Sequence, residues 1–260
     1  MAENKKMPGM GGERYVPYSE RTGNESVVYF TRDLSAEGLR KIFARVSQPL
    51  TGKIGVKLHT GEPHGPNIIP HEWVEALIKN DLPEAHIVET NTYYEGARYT
   101  TEQHRETLKT NGWTFCPVDI MDEDGTVALP VKGGKWFTDM YMGKNIINYD
   151  SLFVLTHFKG HVMGGFGGSN KNIGIGCADG RIGKKMIHTA EGSDDLWSIA
   201  EEELMERITE SSKATVDYFK DRITFVNVLR NMSVSCDCEG VEACLLYTSP
   251  SPTRLGMISY

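Results

Sequence analysis

The sequence is poor in cysteine and has no long apolar run. Five cysteines in 260 residues are too few and too scattered for a disulfide-based fold. No stretch offers the about 20 apolar residues of a membrane span, and the polar start MAENKKMPGMGGER lacks the hydrophobic segment of a signal peptide. A net charge of −7 at pH 7 argues against general affinity for nucleic acid or anionic membranes. These absences predict a cytoplasmic protein that binds neither.

The two ends of the chain differ in composition from its middle. Residues 1–25 are polar and Gly-rich, and we expect them to form a flexible N-terminal arm. The segment Leu245–Pro252 resembles the translation of a transposon-type sequencing adapter, and Ile258–Tyr260 fits the far end of the same adapter. An ordinary Pro/Ser-rich tail is the alternative. We therefore predict one domain, truncated, over residues 26–243, and a non-native tail over 244–260.

Strand and helix patterns alternate along this domain. Strands are predicted at Val27–Thr31, Lys53–Leu58, His86–Glu89, Thr114–Ile120, Val127–Val131, Leu152–Leu155 and Ile223–Leu229. The predicted helices begin after the capping residue Ser35, at Pro70, at Thr101 and near Asp194. Repeated alternation predicts an α/β fold with a mostly parallel sheet and helices on both faces.

Three unusual segments follow predicted strands. They are His59–Asn67 (HTGEPHGPN), Glu89–Arg98 (ETNTYYEGAR) and the glycine-rich run His157–Gly183. Because binding sites in such folds form beyond the carboxyl ends of the strands, we expect the three to meet at one sheet edge. Their shared placement predicts a site there.

The glycine-rich run fits neither common nucleotide-binding signature. It lacks the P-loop pattern GxxxxGK[ST] and the third glycine of the dinucleotide fingerprint. We interpret it as a polar loop that holds a phosphate or carboxylate through backbone amides and lysine, although a folded connection rich in tight turns is the alternative. The ligand-binding candidates of the three segments are His59, His64, Asn91, Arg98, Gly165, Gly167, Gly168, Asn170, Lys171 and Asn172.

Four residues are candidates for catalysis: Glu89, His157, Lys159 and His161. Two histidines four apart could share a helix face and bind a metal, but the intervening glycine weakens the helix prediction, so each is equally an acid/base candidate. A carboxylate near Arg98 is either a general acid/base with its electrostatic partner or a salt bridge that fixes the loop.

The pair Cys236-Asp-Cys238 is the sharpest metal signal. Neighbouring thiolates suit an iron–sulfur cluster or zinc, with Cys177 as a further candidate ligand. A complete site needs about four ligands, and no standard C-x-x-C pattern is present. Two reduced thiols in a turn are the alternative for the pair, and a small buried residue is the alternative for Cys177.

Four segments carry a family resemblance: VKLHTGEPHGPN, ETNTYYEGAR, THFKGHVMGGFGGSNKNIGIGCADGRIGK and SVSCDCEG. They resemble domain-of-unknown-function family 362 over about residues 26–243. Members often carry cysteines interpreted as iron–sulfur ligands, and some carry an attached ferredoxin domain. The resemblance implies a 4Fe–4S cluster and a redox-type role for Cys236 and Cys238. This chain lacks further partner cysteines outside the adapter-like tail, and no established reaction comes with the family.

Three functions follow from these observations. The first is an iron–sulfur or other thiolate-metal protein with a redox partner protein. The second is a cluster-free enzyme that binds a small anionic substrate in the Gly/His/Lys-rich run. The third is a non-catalytic module that binds a partner, which predicts a broad exposed apolar patch and no small-molecule pocket.

Overall fold

A computed structural model describes residues 26–65, 67–161, 165–196 and 198–232, together with one strand near the C-terminus. The strands are β1 (Tyr29–Thr31), β2 (Ile54–Lys57), β3 (His86–Glu89), β4 (Val118–Ile120), β5 (Thr126–Pro130), β6 (Asp139–Gly143), β7 (Ser151–His157), β8 (Lys159–His161), β9 (Gly165–Gly167), β10 (Ile223–Val228) and β11 (Met257–Ser259). The helices are α1 (Ala36–Val46), α2 (His71–Asp81), α3 (Thr101–Thr110), α4 (Ser169–Gly176), α5 (Gly183–His188) and α6 (Glu201–Phe219), with a 3-10 helix at Lys144–Asn148.

A seven-stranded sheet in the order β1-β11-β10-β7-β2-β3-β4 forms the centre of the fold. The strands β10, β7, β2, β3 and β4 all run parallel. The strand β11 pairs antiparallel with both β1 and β10. Two small antiparallel hairpins, β5–β6 and β8–β9, stand apart from this sheet. The predicted α/β fold with a mostly parallel sheet is confirmed.

Two apolar cores cover opposite faces of the sheet. On one face, α1, α2 and α3 pack on alternate strand residues such as Val56, Ile87 and Phe153. On the other, α4, α6 and the β5–β6 hairpin pack on the residues between them, such as Val88 and Val154. Since successive strand side chains point to opposite faces, this alternation requires helices on both sides, as predicted.

Several element boundaries differ from the predictions for local reasons. Pro70, predicted as the first helical residue, occupies the cap position of α2 with an extended ψ of 124°, and the helix begins one residue later at His71. The strand β4 begins only after Pro117, which has no backbone N–H to donate to a ladder. The helix predicted from near Asp194 begins at Glu201. By contrast, Ser35 caps α1 as predicted, because its Oγ accepts the N–H of Gly38 at 3.1 Å.

The glycine-rich run is not one continuous loop. It contains the β8–β9 hairpin, α4 and α5, so it is folded into regular elements. Helix α4 forms because it packs closely on α6: a Cβ at Gly174 would lie 2.6 Å from the carbonyl oxygen of Ile208. The Ser212 hydroxyl also donates to the carbonyl of Asn170 at 2.6 Å. Contacts with α6 therefore offset the low helix propensity of a glycine-rich segment.

Two predictions about the chain ends concern residues that the structure does not describe. The arm over residues 1–25 lies outside the described ranges, and so does most of the 244–260 tail. The strand β11 lies within that tail, but its pairing bears on backbone position and not on origin, so the adapter origin stays a prediction. Among the described helices, none is long and apolar enough to cross a membrane.

Candidate functional site

A cavity of about 270 Å³ opens at the carboxyl ends of β2, β3 and β7. Its wall combines residues from the strand ends with the β8–β9 hairpin and helices α4 and α5. The topology thus brings together the three segments that follow β2, β3 and β7.

The cavity wall gathers most of the predicted catalytic and ligand-binding residues. These are His59, Glu89, Arg98, His157, Lys159, His161, Gly167, Gly168, Lys171 and Asn172. The wall does not include His64, Asn91, Gly165, Asn170 or Cys177. Cys236 and Cys238 lie outside the described residues.

The predicted residues outside the cavity wall have other surroundings. The Asn91 amide donates to Thr101 and faces His104, inside the protein. The Asn170 amide donates to Thr209 on α6 at 3.3 Å. The backbone N–H of His64 bonds to Asn111 at 2.9 Å.

A buried ion pair lies at the strand ends beneath α4. Strand alternation points Lys57 toward α4, where its Nζ lies 3.4 Å from Glu89 Oε2 and donates to Asn172 Oδ1 at 2.9 Å. The two charged side chains are 1% and 3% exposed. A Cβ at Gly176 would lie 2.5 Å from this Nζ, so a larger residue there would require the tip of the lysine to move.

Glu89 is held as a carboxylate. Its two oxygens accept the backbone N–H groups of Thr60 at 3.2 Å and Thr90 at 3.3 Å. Burial alone would raise the pKa of Glu89, but attraction to Lys57 and Arg98 outweighs it and holds the pKa below its ordinary value. The group is therefore ionised at neutral pH.

Arg98 does not form its close ion pair with Glu89. Its guanidinium donates to Glu62 instead, at 2.6 Å from Nη2 and 3.1 Å from Nε. Glu62 belongs to the segment after β2, so this pair joins two of the three site segments. The alternative of a salt bridge that fixes a loop therefore describes Arg98 well, with Glu62 as its partner.

The cavity wall carries a marked excess of positive charge. It contains five cationic side chains and one carboxylate, that of Glu89: the cations are Lys57, Arg98, Lys159, Lys171 and Lys184. Lys184 is buried and donates to Thr90 Oγ1 at 2.8 Å and to the carbonyl oxygen of Asn91. Burial lowers its pKa to about 8. Because the whole chain carries a net charge of −7, this excess is local.

Four histidines line the cavity beside these cations. His59 Nε2 is buried and has no hydrogen-bond partner among the described residues, and Nδ1 lies 3.9 Å from Glu89 Oε1. Burial, then repulsion by the nearby cations, lowers the pKa of His59 well below its ordinary value. The same causes lower the pKa of His161 to about 3 and that of His188 to about 4. These three imidazoles are therefore neutral at neutral pH.

The predicted histidine pair does not share a helix. His157 ends β7 and donates from Nε2 to the carbonyl of Arg230, whereas His161 ends β8. Helical spacing thus gives no reason to pair them on one metal. Each still lines the cavity, as an acid/base or binding role requires.

The described residues do not form a metal site. Among them, no three His, Cys, Asp or Glu side chains are placed to hold one ion. Cys177 is fully buried, and burial raises the pKa of its thiol to about 11. Cys116 is half-buried, and burial likewise raises its pKa to about 11. The described cysteines therefore do not fit an iron–sulfur cluster.

Three basic side chains in the cavity wall were not predicted as site residues: Lys57, Lys184 and His188. A lysine inside a strand that is otherwise apolar was the available signal for Lys57, because a buried strand rarely places a charge without a partner. His188 is half-buried and donates from Nδ1 to the carbonyl of Lys184 at 2.8 Å.

A family model described as Domain of unknown function (DUF362) matches residues 54–252. Similar solved structures include the lactate racemase apoprotein from Thermoanaerobacterium thermosaccharolyticum, at 14% identity and a TM-score of 0.46 over 77% of this chain and 50% of that one. Another is a structural-genomics protein from Thermotoga maritima, at 15% identity and a TM-score of 0.46 over 75% and 50%. The chain spans about half the length of each. A comparison with curated proteins finds no match.

His104 is a further buried histidine and does not belong to the cavity wall. It is 0% exposed on α3, with Nδ1 3.2 Å from Asn91 Oδ1, and Nε2 has no hydrogen-bond partner among the described residues. Burial is the main cause that lowers its pKa to about 3, against an ordinary value of 6.5. The folded protein therefore favours neutral His104.

Replacing His104 by glutamine should flatten the dependence of stability on pH. The folded-state pKa lies below the unfolded one, so the contribution of His104 is fully present above pH 6.5 and is lost as pH falls toward about 3. We expect the contribution of His104 to the slope of unfolding free energy against pH to approach about 1.4 kcal/mol per pH unit below pH 6. Urea denaturation at pH 7, 6 and 5 measures it.

The matched control is His71→Gln, because the His71 side chain is 51% exposed. This variant should keep the parent slope. Equal slopes for the parent and His104→Gln would contradict the buried, neutral state of His104.

Proposed function

The chain belongs to the DUF362 family, and we propose that it is an enzyme-type protein that binds a small anionic ligand in this cavity and moves protons on it. The family description names no reaction, so the support comes from the cavity itself. The observation that carries the proposal is its charge: five cationic side chains and one carboxylate line the wall, and a positive excess remains after Glu62, outside the wall, pairs with Arg98. A concave wall with such an excess attracts and concentrates anions.

The start of α4 adds backbone donors to these charges. Gly168 occupies the cap position, no side chain caps the helix, and both Gly168 and Lys171 line the cavity. The first N–H groups of a helix have no acceptor within the helix and favour a bound anion. Amide donors and lysine charge thus converge on one wall, which supports a phosphate, sulfate or carboxylate as the bound group.

Neutral histidines beside a bound anion support proton transfer. A negative charge in the cavity would raise the pKa of His161 from about 3 and that of His188 from about 4, toward the range where an imidazole exchanges protons at neutral pH. His59 offers an unpartnered Nε2 and has a carboxylate near its other nitrogen. The carboxylate of Glu89 already accepts two backbone N–H groups, which supports a role in positioning Lys57 and His59.

The cavity also favours this function over a non-catalytic module, which predicts no small-molecule pocket. Of the predicted partners, a small anionic ligand is therefore the one we propose. We also propose a cytoplasmic location, which the few, scattered cysteines favour.

Lys171→Ala should weaken anion binding at least about tenfold, because one charge-assisted contact is worth about 1.5–3 kcal/mol. Isothermal titration calorimetry with inorganic sulfate at pH 7 measures the affinity. Lys41→Ala is the control, since Lys41 is 61% exposed on α1 and does not line the cavity. Absence of sulfate binding by the parent, or equal affinity in Lys171→Ala, would refute the proposal.

An iron–sulfur or other thiolate-metal site at Cys236 and Cys238 is a second proposal. Its support is the pair of cysteines and the family resemblance. One contact of the fold adds to it: Arg230, six residues before Cys236, bonds to His157 at the cavity edge. Arg230 therefore lies at the cavity edge. A bound cluster would supply electron transfer.

Anaerobic reconstitution with iron and sulfide tests this second proposal. We expect protein-bound iron and acid-labile sulfide that disappear when both Cys236 and Cys238 are replaced by serine. Cys116→Ser should retain the bound iron and sulfide, because Cys116 packs against the core beneath α1, α2 and α3. Failure of the parent to bind iron and sulfide, or unchanged binding in the double variant, would exclude the site.

A further inference from the structure

The wall of the cavity has two chemically different parts. The charged side chains of Lys57, Glu89, Arg98, Lys159 and Lys184 are buried, at 1–6% exposed. A second set is apolar or aromatic and only partly covered: Tyr93, Tyr94, Ile175 and Leu196. The buried charged set therefore forms the inner part of the cavity wall, and the more exposed apolar and aromatic set forms its outer part.

We infer that the ligand is a small organic acid that carries an aromatic or branched apolar substituent on its anionic group. This inference rests on the proposed anion-binding function and names its substrate class. The anionic group would meet the buried cations, and the substituent would cover the outer set of side chains.

Helix α4 links the two parts of the wall. Lys171 and Ile175 lie four residues apart, so they stand one turn apart on the same face of the helix, and both line the cavity. One helix face therefore presents a cation and then a branched apolar side chain. A ligand that contacts both has to combine an anionic and an apolar group.

Tyr94 provides an aromatic surface next to the cationic part. Its hydroxyl donates to Glu62 Oε1 at 2.8 Å and accepts from Arg98 Nη2 at 3.4 Å. These contacts hold the tip of the side chain, yet the residue remains 43% exposed. The ring is thus positioned by the same Arg98–Glu62 pair that joins two site segments.

The size of the cavity favours the same class of ligand. At about 270 Å³ it holds much more than one inorganic anion, given that a water molecule takes about 30 Å³ of liquid. An inorganic anion alone would leave Ile175 and Leu196 in contact with water. A fully polar polyanion would also bury these apolar groups without apolar partners, which gains nothing.

Methyl phosphate and phenyl phosphate form a matched pair for calorimetry, since they share one anionic group. We expect phenyl phosphate to bind at least about tenfold more tightly. A tenfold gain corresponds to about 1.4 kcal/mol, which burial of only about 55 Å² of apolar surface supplies.

Two variants locate the gain within the cavity. Ile175→Ser and Leu196→Ser should each reduce the preference for phenyl phosphate over methyl phosphate to below about threefold. They lie on different segments, so the test survives if one variant fails to fold, as judged by circular dichroism. Ile182→Ser is the control, because Ile182 is 46% exposed and does not line the cavity.

The outcomes separate the inference from the function beneath it. If neither ligand binds the parent, the proposed anion-binding function fails. If both bind with equal affinity, the anion site stands and the apolar substituent is refuted. A phenyl preference that persists in the folded serine variants would also overturn the inference, because the substituent would then bind elsewhere.

Discussion

The buried pair of Lys57 and Glu89 is the constraint on which the rest of the site depends. Two charges at the ends of adjacent strands, 1% and 3% exposed, are tolerated only when they neutralise each other and their hydrogen bonds are satisfied. Asn172 and two backbone N–H groups complete that set, and Gly176 lets α4 cover it. Loss of one partner would leave the other charge buried alone, which costs about 3–5 kcal/mol in comparable pairs.

The same pair determines the electrostatics of the cavity. Lys57 lies against Glu89 and Glu62 pairs with Arg98, while Lys159, Lys171 and Lys184 add further positive charge to the wall. Burial, together with repulsion by nearby cations, keeps His59, His161 and His188 neutral. An arriving anion would therefore relieve cation repulsion and allow these imidazoles to take up protons. Ligand binding and proton movement are thus coupled through one set of charges.

The sequence predicts the sheet and the place of the site, because alternation and strand-end position are topological. It does not predict α4, because glycine disfavours a helix locally and the contact of Gly174 with α6 becomes visible only in three dimensions. The sequence does not identify Lys57 as a site residue, because a single lysine in a strand is equally consistent with an outward-facing side chain. Arg98 lines the cavity, at the sheet edge where the sequence predicts it, but its partner Glu62 lies 36 residues away in the chain and no local pattern pairs them.

Nuclear magnetic resonance titration of the histidine side chains, with and without saturating sulfate, tests the coupling between anion and proton most directly. The account predicts that sulfate raises the pKa of His161 and of His188 from about 3 and about 4 by at least about one unit, while the resonances of His71 do not respond to sulfate. Unchanged pKa values of His161 and His188 at saturating sulfate would contradict this coupling.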